Sequence, residues 1–552
     1  MPDQATINGL LSESIQRYPQ RPALGMAFMP PLTYLALGEA IRLLAAALIA
    51  NGLRRSDRVA ILAENSVNWG VAYLAVTGCG AMAVPILPDF PEADIHHILG
   101  ETGTKFVFAS HRQIDKVLDY TRHPLAGIFS LDDGDPEHRD TIATYSGLLH
   151  QGASLPLDAI EEVGAIHLHP DDTAAIIYTS GTSGHAKAAS LSHANICANV
   201  RSAQAFIAIP PEATFLSILP LSHTYEFTMG FVLPLSRGAR VVYADRAPTP
   251  SILEKICRHE RPTAICAVPM VIDKIYKKKV LPAIQEKFWL RQMAKFAWTR
   301  HLLMRRIGAT LLDFFGGQLA VMAIGGAALN IETETFLREA RFPYLVGYGL
   351  TETSPLLAAG RLGDPSVALG SVGPPVPGVE IKIDHPEAST GIGQILARGP
   401  NIMQGYFNNP TLTAETIDPQ GWLATGDLGY FDETGNLHIK GRSKSVIVLS
   451  HGENIYPEAI EEKIKGFTQV VESLVVANHD QIEALIYLDY DQIDRVSKNS
   501  DEQRRYVEQL LAGIKAAINQ QLPVYAKLHK VAERTEPFVK TATHKIKRYL
   551  YQ

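Results

Sequence analysis

Over its first 440 or so residues the chain alternates short β-rich runs with helical patterns, and that order of elements leaves few folds open. Strand-like runs stand at Arg58–Ala63, Lys105–Ala109, Thr173–Tyr178, Thr214–Ile218, Ala239–Tyr243 and Leu319–Ala323, with helical patterns such as Leu35–Asn51 and Ala194–Ile207 among them. Strands interleaved with helices imply α/β layers around mostly parallel sheets. Ligands of such sheets gather at the carboxyl ends of the strands. The chain's 552 residues exceed one hydrophobic core, since cores stop growing near about 250–300 residues. Roughly two to four domains or subdomains are therefore expected.

From about Gly360 the texture changes. Turns rich in Gly and Pro separate the short strand-like runs Val379–Ile383, Gly393–Ala397, Leu437–Ile439 and Ser445–Leu449, which predicts a β-rich subdomain over about 360–441. The last unit, 442–552, holds helical Glu458–Lys465, strand-like Val470–Val476 and Ile482–Leu488, and helical Asp501–Gln520. It is long enough to form a small α+β domain of its own.

Composition removes several classes. A net charge of −6 argues against a nucleic-acid footprint over the whole chain. Four scattered cysteines, Cys79, Cys197, Cys257 and Cys266, form no CxxC pair and suit a reducing compartment. Residues 2–16 read as an amphipathic helix rather than a secretory signal, so a cytoplasmic protein is expected. Ser66 to Pro88 is uncharged and as long as a membrane span. It nevertheless carries Gly78, Gly80 and two prolines, and reads as a buried helix, a turn and a buried strand. Its Gly78-x-Gly80-x-x-Ala83 precedes a strand, not a helix, so it is no dinucleotide fingerprint. The basic run Lys274–Lys279 reads as a solvated helix face.

The chemistry concentrates after Thr173–Tyr178. That apolar run leads into Thr179-Ser180-Gly181-Thr182-Ser183-Gly184-His185-Ala186-Lys187, with a helix expected after Ser192-His193. Glycines let successive backbone N–H groups face one anion. Four hydroxyls add donors, and Lys187 adds a cation, which is what a polyphosphate needs. The chain has no Gly-Lys dipeptide, so this is not a Walker A loop.

Tyr178-Thr179-Ser180-Gly181-Thr182-Ser183-Gly184, then Lys187, then Leu191-Ser192-His193-x-Asn195, resembles the signature of the adenylate-forming superfamily. The superfamily usually has Pro at Ala186 and Gly at Ala188. The resemblance runs from Leu35 to Arg548 with the motifs in order. It implies a large N-terminal adenylation domain, 1–441, and a mobile C-terminal domain, 442–552.

It also implies the site residues. His223 of Pro220-Leu221-Ser222-His223 would lie beside the acyl-adenylate, although a histidine at a strand–helix junction also serves structure alone. Phe227 either walls the acyl pocket or is core. Gly325-Gly326-Ala327-Ala328-Leu329 resembles the adenine-side loop, giving Gly326, Ala327 and Ala328. In Gly347-Tyr348-Gly349-Leu350-Thr351-Glu352-Thr353 the tyrosine would stack on adenine, Thr351 meet the α-phosphate and Glu352 hold Mg²⁺. Asp427 would bind the ribose hydroxyls, Arg442 the other side of the nucleotide, and Lys444 would be the hinge. Gly452, Glu453 and Asn454 would line the thiol channel. Thr182 and His223 would act in catalysis with Lys545, although His544 stands where the family usually has Gly; Lys540 and Lys547 are the alternatives to Lys545.

The activity so implied takes a carboxylic acid through an acyl-adenylate to a thioester, with ATP and CoA as co-substrates and Mg²⁺ as cofactor. The stretch Val268–Leu329, Ser222–Glu226 and Leu449–Pro457 resemble bacterial long-chain fatty acyl-CoA synthetases, so a medium- or long-chain fatty acid is expected. An acyl carrier protein as acceptor, a degenerate nucleotide-binding scaffold, and peripheral contact with a membrane stay open. No nucleic-acid partner is expected.

Overall fold

The computed structural model describes residues 5–133, 142–179, 187–244, 248–449, 453–478, 481–496, 499–541 and 545–551. Two eight-stranded sheets form the large part of the molecule. The first runs, edge to edge, Gly405–Tyr406, Lys187–Ser192, Thr173–Thr179, Met82–Ile86, Arg58–Leu62, Phe106–Ala109, Gly127–Ser130 and Ala143–Thr144. Its pairs are parallel except at the Lys187–Ser192 end. The second runs Leu356–Ala359, Tyr344–Gly349, Val321–Ile324, Ala264–Ala267, Thr214–Ser217, Arg240–Tyr243, Pro22–Met26 and Leu32–Thr33. Only its two outermost pairs are antiparallel.

The uncharged stretch from Ser66 is the buried helix Val67–Gly78 followed by the buried strand Met82–Ile86. Ser66 starts the helix by accepting a hydrogen bond from the Trp69 amide, which satisfies one of the free N–H groups of the first turn. Trp69 and Tyr73 then pack against Phe227 and Phe231 in the main core. Burying each such ring stabilises the fold by about 1.5–3 kcal/mol. Phe227, 1% exposed, is part of this core.

A four-stranded antiparallel sheet follows, in the order Glu380–Asp384, Gly393–Arg398, Leu423–Phe431, Leu437–Arg442. The tail of the chain builds a separate core. There the helices Pro457–Lys465 and Ser500–Asn519 cover a sheet of Val470–Asn478, Gln481–Leu488 and Leu528–Arg534. The strand expected at Ser445–Leu449 is shorter: a 3₁₀ turn Ser443–Ser445 precedes a two-residue strand, Ile447–Val448.

The basic run near 276 is not simply a solvated face. Lys277 donates to the Lys465 carbonyl and Lys278 pairs with Asp489 at 3.2 Å, so both bridge to the C-terminal unit. Lys279 lies over the Phe314 ring at 4.8 Å.

Candidate functional site

Between the phosphate-loop run and the next helix lies a strand that the sequence reading did not foresee, Lys187–Ser192. It pairs antiparallel with Thr173–Thr179 and sets Thr179 opposite Lys187. The Thr179 hydroxyl donates to the Lys187 carbonyl at 3.3 Å. Ser180, Gly181, Thr182, Ser183 and Gly184 lie outside the described residues. Ala188 stands in the strand, buried and paired with Tyr178, where an ordinary extended backbone accepts its methyl. The following Leu191-Ser192-His193-Ala194-Asn195 is a helix start. Ser192 accepts from the Asn195 amide and Asn195 from the Ser192 amide, a capping box.

That strand ties the phosphate loop to Glu352. Its outer neighbour is Gly405–Tyr406, with Tyr406 opposite Ala189. The Lys187 ammonium lies 5.0 Å from the centre of the Tyr406 ring, and the Tyr406 hydroxyl donates to Glu352 Oε1 at 2.9 Å. Glu352 is further fixed by its own carbonyl, which accepts from the Met403 amide at 2.9 Å. Tyr406 is a site residue that sequence reasoning missed. It stands 54 residues from Glu352, and nothing in the local pattern connects them.

The segment Gly347–Thr353 enters on the strand Tyr344–Gly349 and ends in a 3₁₀ turn, Thr351–Thr353. A Cβ on Gly349 would sit 1.9 Å from the Pro355 carbonyl oxygen, so only glycine fits there. The Tyr348 hydroxyl donates to Asp427 Oδ2 at 2.7 Å, and Arg442 Nε meets Asp427 Oδ1 at 2.8 Å. Asp427 and Arg442 are register partners in the four-stranded sheet. Asp427 is 5% exposed. Burial pushes its carboxyl pKa up, opposed by Arg442 and by the Tyr348 hydrogen bond. A carboxylate accepts at about four lone-pair positions, so it keeps capacity for further hydroxyl donors.

On the other side, Gly325 and Gly326 follow the strand Val321–Ile324, and Gly326 takes φ +82°, a conformation that favours glycine. Gly326, Ala327 and Ala328 are exposed. Tyr225 supports this turn from below: its hydroxyl donates to the Ala323 carbonyl at 2.8 Å, and a Cβ on Gly325 would meet its ring at 3.4 Å. The Tyr225 amide donates to His223 Nδ1 at 3.2 Å, which leaves the proton of a neutral His223 ring on Nε2. Burial, and then the charge of Lys545, lower the His223 pKa from 6.5 to about 4.

Lys545 comes from the C-terminal unit. The Thr541 amide donates to the Lys545 carbonyl at 2.8 Å, and the Lys545 amide to the Thr541 hydroxyl at 3.2 Å. His544 lies outside the described residues. Burial and Arg442 lower the Lys545 pKa, while Asp427 and Glu352 raise it. The residue is nevertheless exposed to solvent, which moderates the effect of burial on it. Lys540 is committed elsewhere, paired with Glu472. Lys444 is exposed in its 3₁₀ turn next to Arg442. Among the described residues Glu453 and Asn454 make no hydrogen bond or ion pair to Asp427, Glu352 or Lys545. Asn454 donates to Glu387 at 2.5 Å, and Tyr456 to the same carboxylate at 3.2 Å. Gly452 lies outside the described residues.

Glu352 and Asp427 of the large unit, and Arg442 at the boundary where the four-stranded sheet ends, act electrostatically on Lys545 of the small unit, and Tyr406 links Glu352 to the strand pair that carries Thr179 and Lys187. A buried acid held by a tyrosine and an arginine, with a Ser/Thr/Gly-rich segment following Thr179, suits a phosphorylated ligand with free hydroxyls. The AMP-binding enzyme family matches residues 11–407, and the AMP-binding enzyme C-terminal domain matches residues 444–551, so the chain belongs to the adenylate-forming AMP-binding enzymes. It is 30% identical to the long-chain-fatty-acid–CoA ligase heimdall of Drosophila melanogaster over 86% of this chain and 75% of that protein. It is 31% identical to the medium-chain fatty-acid–CoA ligase of Escherichia coli K12 over 81% and 74%. The crystal structure of ATP-bound MatB from Rhodopseudomonas palustris shares the fold, with TM-score 0.78 and 24% identity over 99% of this chain and 98% of that one.

Proposed function

We propose that the chain activates a medium- or long-chain fatty acid with ATP and transfers the acyl group to coenzyme A, in the cytoplasm. The observation that carries the reading is Asp427, a buried carboxylate held by the Tyr348 hydroxyl at 2.7 Å and by Arg442 at 2.8 Å, on which the charge of Lys545 from the C-terminal unit also acts. The fatty acid and CoA are supported by the names of the two relatives. The four buried free cysteines accord with a reducing compartment. Among the described residues no helix is long and apolar enough to cross a membrane.

In the first half-reaction a carboxylate oxygen attacks the α-phosphorus of ATP, and the bond to the pyrophosphate oxygen breaks. Most of the work is positioning and charge stabilisation. Thr179, the loop Ser180–Gly184, with Thr182 in the catalytic role, and Lys187 hold the phosphates. Tyr348 faces adenine against Gly326, Ala327 and Ala328, and Gly347 and Gly349 shape its strand. Thr351 meets the α-phosphate. Asp427 takes the ribose hydroxyls, Arg442 flanks the nucleotide, and Lys545 bridges the acid and the α-phosphate. Neutral His223 donates from Nε2 to the acid.

Glu352 fits Mg²⁺: it offers a hard carboxylate oxygen beside the one bound to Tyr406. Magnesium commonly takes one or two carboxylates and draws its other ligands from phosphate and water. When bound, the ion would neutralise charge on the departing pyrophosphate.

In the second half-reaction the C-terminal domain, which we place at 442–552, turns about Lys444 and withdraws Lys545. Gly452, Glu453 and Asn454 then border the thiol path, the sulfur attacks the acyl carbonyl and AMP leaves. That turn must break the hydrogen bonds from Asn454 and Tyr456 to Glu387.

ATP–pyrophosphate exchange over a panel of fatty, aryl and amino acids tests the substrate, and thioester formation with CoA against acyl carrier protein tests the acceptor. Aryl or amino acids outperforming fatty acids by a wide margin, or a strong preference for the carrier protein, would overturn the reading.

A further inference from the structure

The helical insert between the strands Ala264–Ala267 and Val321–Ile324 carries a surface that the adenylation site does not use. From 287 to 312 the chain has six Lys or Arg and no Asp or Glu, in a protein whose net charge is −6. The short helix Phe288–Met293 buries none of its residues. The helix Ala297–Phe314 is anchored in a core by Met304, Leu311 and Phe314, while its beginning stands clear.

Large rings sit on this free part. Phe288 is 66% exposed, Trp289 59%, Phe296 67% and Trp298 75%. Four outward aromatic rings within eleven residues are not the scatter of single apolar residues that surfaces ordinarily show. Cations are interleaved with them: Arg291 lies 5.6 Å from the centre of the Phe288 ring, and Lys287, Lys295, Arg305 and Arg306 are exposed. Among the described residues none of these five has a carboxylate partner, whereas Arg300 is paired with Glu339 at 2.9 Å.

We infer that this helical pair seats the enzyme on an anionic lipid bilayer, with the tryptophan and phenylalanine rings at the headgroup level and the cations on lipid phosphates. Trp and Phe combined with Lys and Arg are what an interfacial helix requires, because rings with apolar bodies settle at the boundary and cations are drawn to the negative surface. The insert is rooted at the adenylation site. It leaves the strand Ala264–Ala267, whose Ala267 carbonyl accepts from the Gly325 amide at 3.1 Å. Docked this way, the enzyme would meet an acid that partitions into lipid close to where it is consumed. The choice of a bilayer over another partner rests on the fatty-acid reading.

The test is flotation of the full chain with phosphatidylglycerol-containing vesicles and with pure phosphatidylcholine vesicles. The variants are Trp289→Ser with Trp298→Ser, and Arg291→Gln with Lys295→Gln. The wild type should float with the anionic vesicles and be released by salt, and each double variant should lose about tenfold in binding. Circular dichroism and turnover of octanoate without vesicles should be unchanged, since these side chains are exposed and lie outside the site. Turnover of a long-chain acid presented in anionic vesicles should fall. No flotation, or equal flotation of wild type and variants, would overturn the inference. So would a concentration-dependent dimer that the tryptophan variants abolish, or binding of an oligonucleotide in place of vesicles. Flotation that persists in a chain inactive on every fatty acid would overturn the substrate reading and leave the docking surface standing.

Discussion

The Tyr348 hydroxyl donates to the buried Asp427 carboxylate at 2.7 Å across 79 residues of sequence, joining the next-to-edge strand of an eight-stranded sheet to the four-stranded one. Arg442 holds the other carboxylate oxygen, so one acid fixes an aromatic ring and a guanidinium on either side of itself, where we place the nucleotide.

Asp427→Asn should keep the shape but remove the charge that Arg442 and two ribose hydroxyls meet. Hydrogen bonds to charged groups are worth about 1.5–3 kcal/mol, so kcat/KM for ATP should fall roughly 10- to 150-fold. Tyr348→Phe removes one neutral donor and should cost about 0.5–1.5 kcal/mol. Pyrophosphate exchange at varied ATP checks both. Equal losses in the two variants would contradict the ribose assignment.

Lysines 540 and 545 should separate cleanly. Lys545→Ala should slow adenylate formation by about 10²–10³-fold, the scale of removing one transition-state donor. Thioester formation from supplied acyl-AMP should be nearly unaffected. Lys540→Ala instead leaves Glu472, 7% exposed, without its cation. It should lower the urea midpoint by the equivalent of about 1–3 kcal/mol and change exchange less than Lys545→Ala does. Single-turnover assays with urea titrations distinguish the two patterns.

His223 sets a pH dependence. Its folded pKa, about 4, lies below its ordinary 6.5, through burial first and Lys545 second. The unfolded chain therefore binds the proton more readily than the folded one, and stability falls as pH drops from 6.5 towards 4. Above 6.5 the residue is neutral in both states and adds no slope. His223→Asn should flatten that part of the curve, and Lys545→Ala should raise the His223 pKa. Urea denaturation over a pH series and NMR titration of the imidazole measure the two effects. His193, also lowered to about 4 by burial, supplies a second contribution that both variants retain.

Gly349→Ala should damage the site through the backbone. The added Cβ would overlap the Pro355 carbonyl oxygen, which is main chain and cannot swing aside. A loss of about 1–3 kcal/mol of stability is expected, with impaired ATP binding because Thr351 and Glu352 follow directly. Thermal melts with and without ATP check it; unchanged melting would show that the turn relaxes freely.

Much of this protein could be read from its sequence by itself. Local rules fixed the helix from Val67, the strand Thr173–Thr179 and the capped helix after Ser192, because their causes lie within a few residues: a cap, a period, a run of β-branched side chains. The order of motifs named the chemistry. The sequence was silent where contacts cross long intervals. The strand Lys187–Ser192 is polar at its ends and is held by pairing with strands on both sides. Tyr406 reaches Glu352 only because the sheet brings its strand beside the phosphate hairpin. Likewise, the motif pointed to Lys545 with Lys540 and Lys547 as alternatives, and only the fold set Lys540 on Glu472. The exposure of Phe288, Trp289, Phe296 and Trp298 belongs to the same class. A sequence states that a ring is apolar, but only packing decides whether anything covers it.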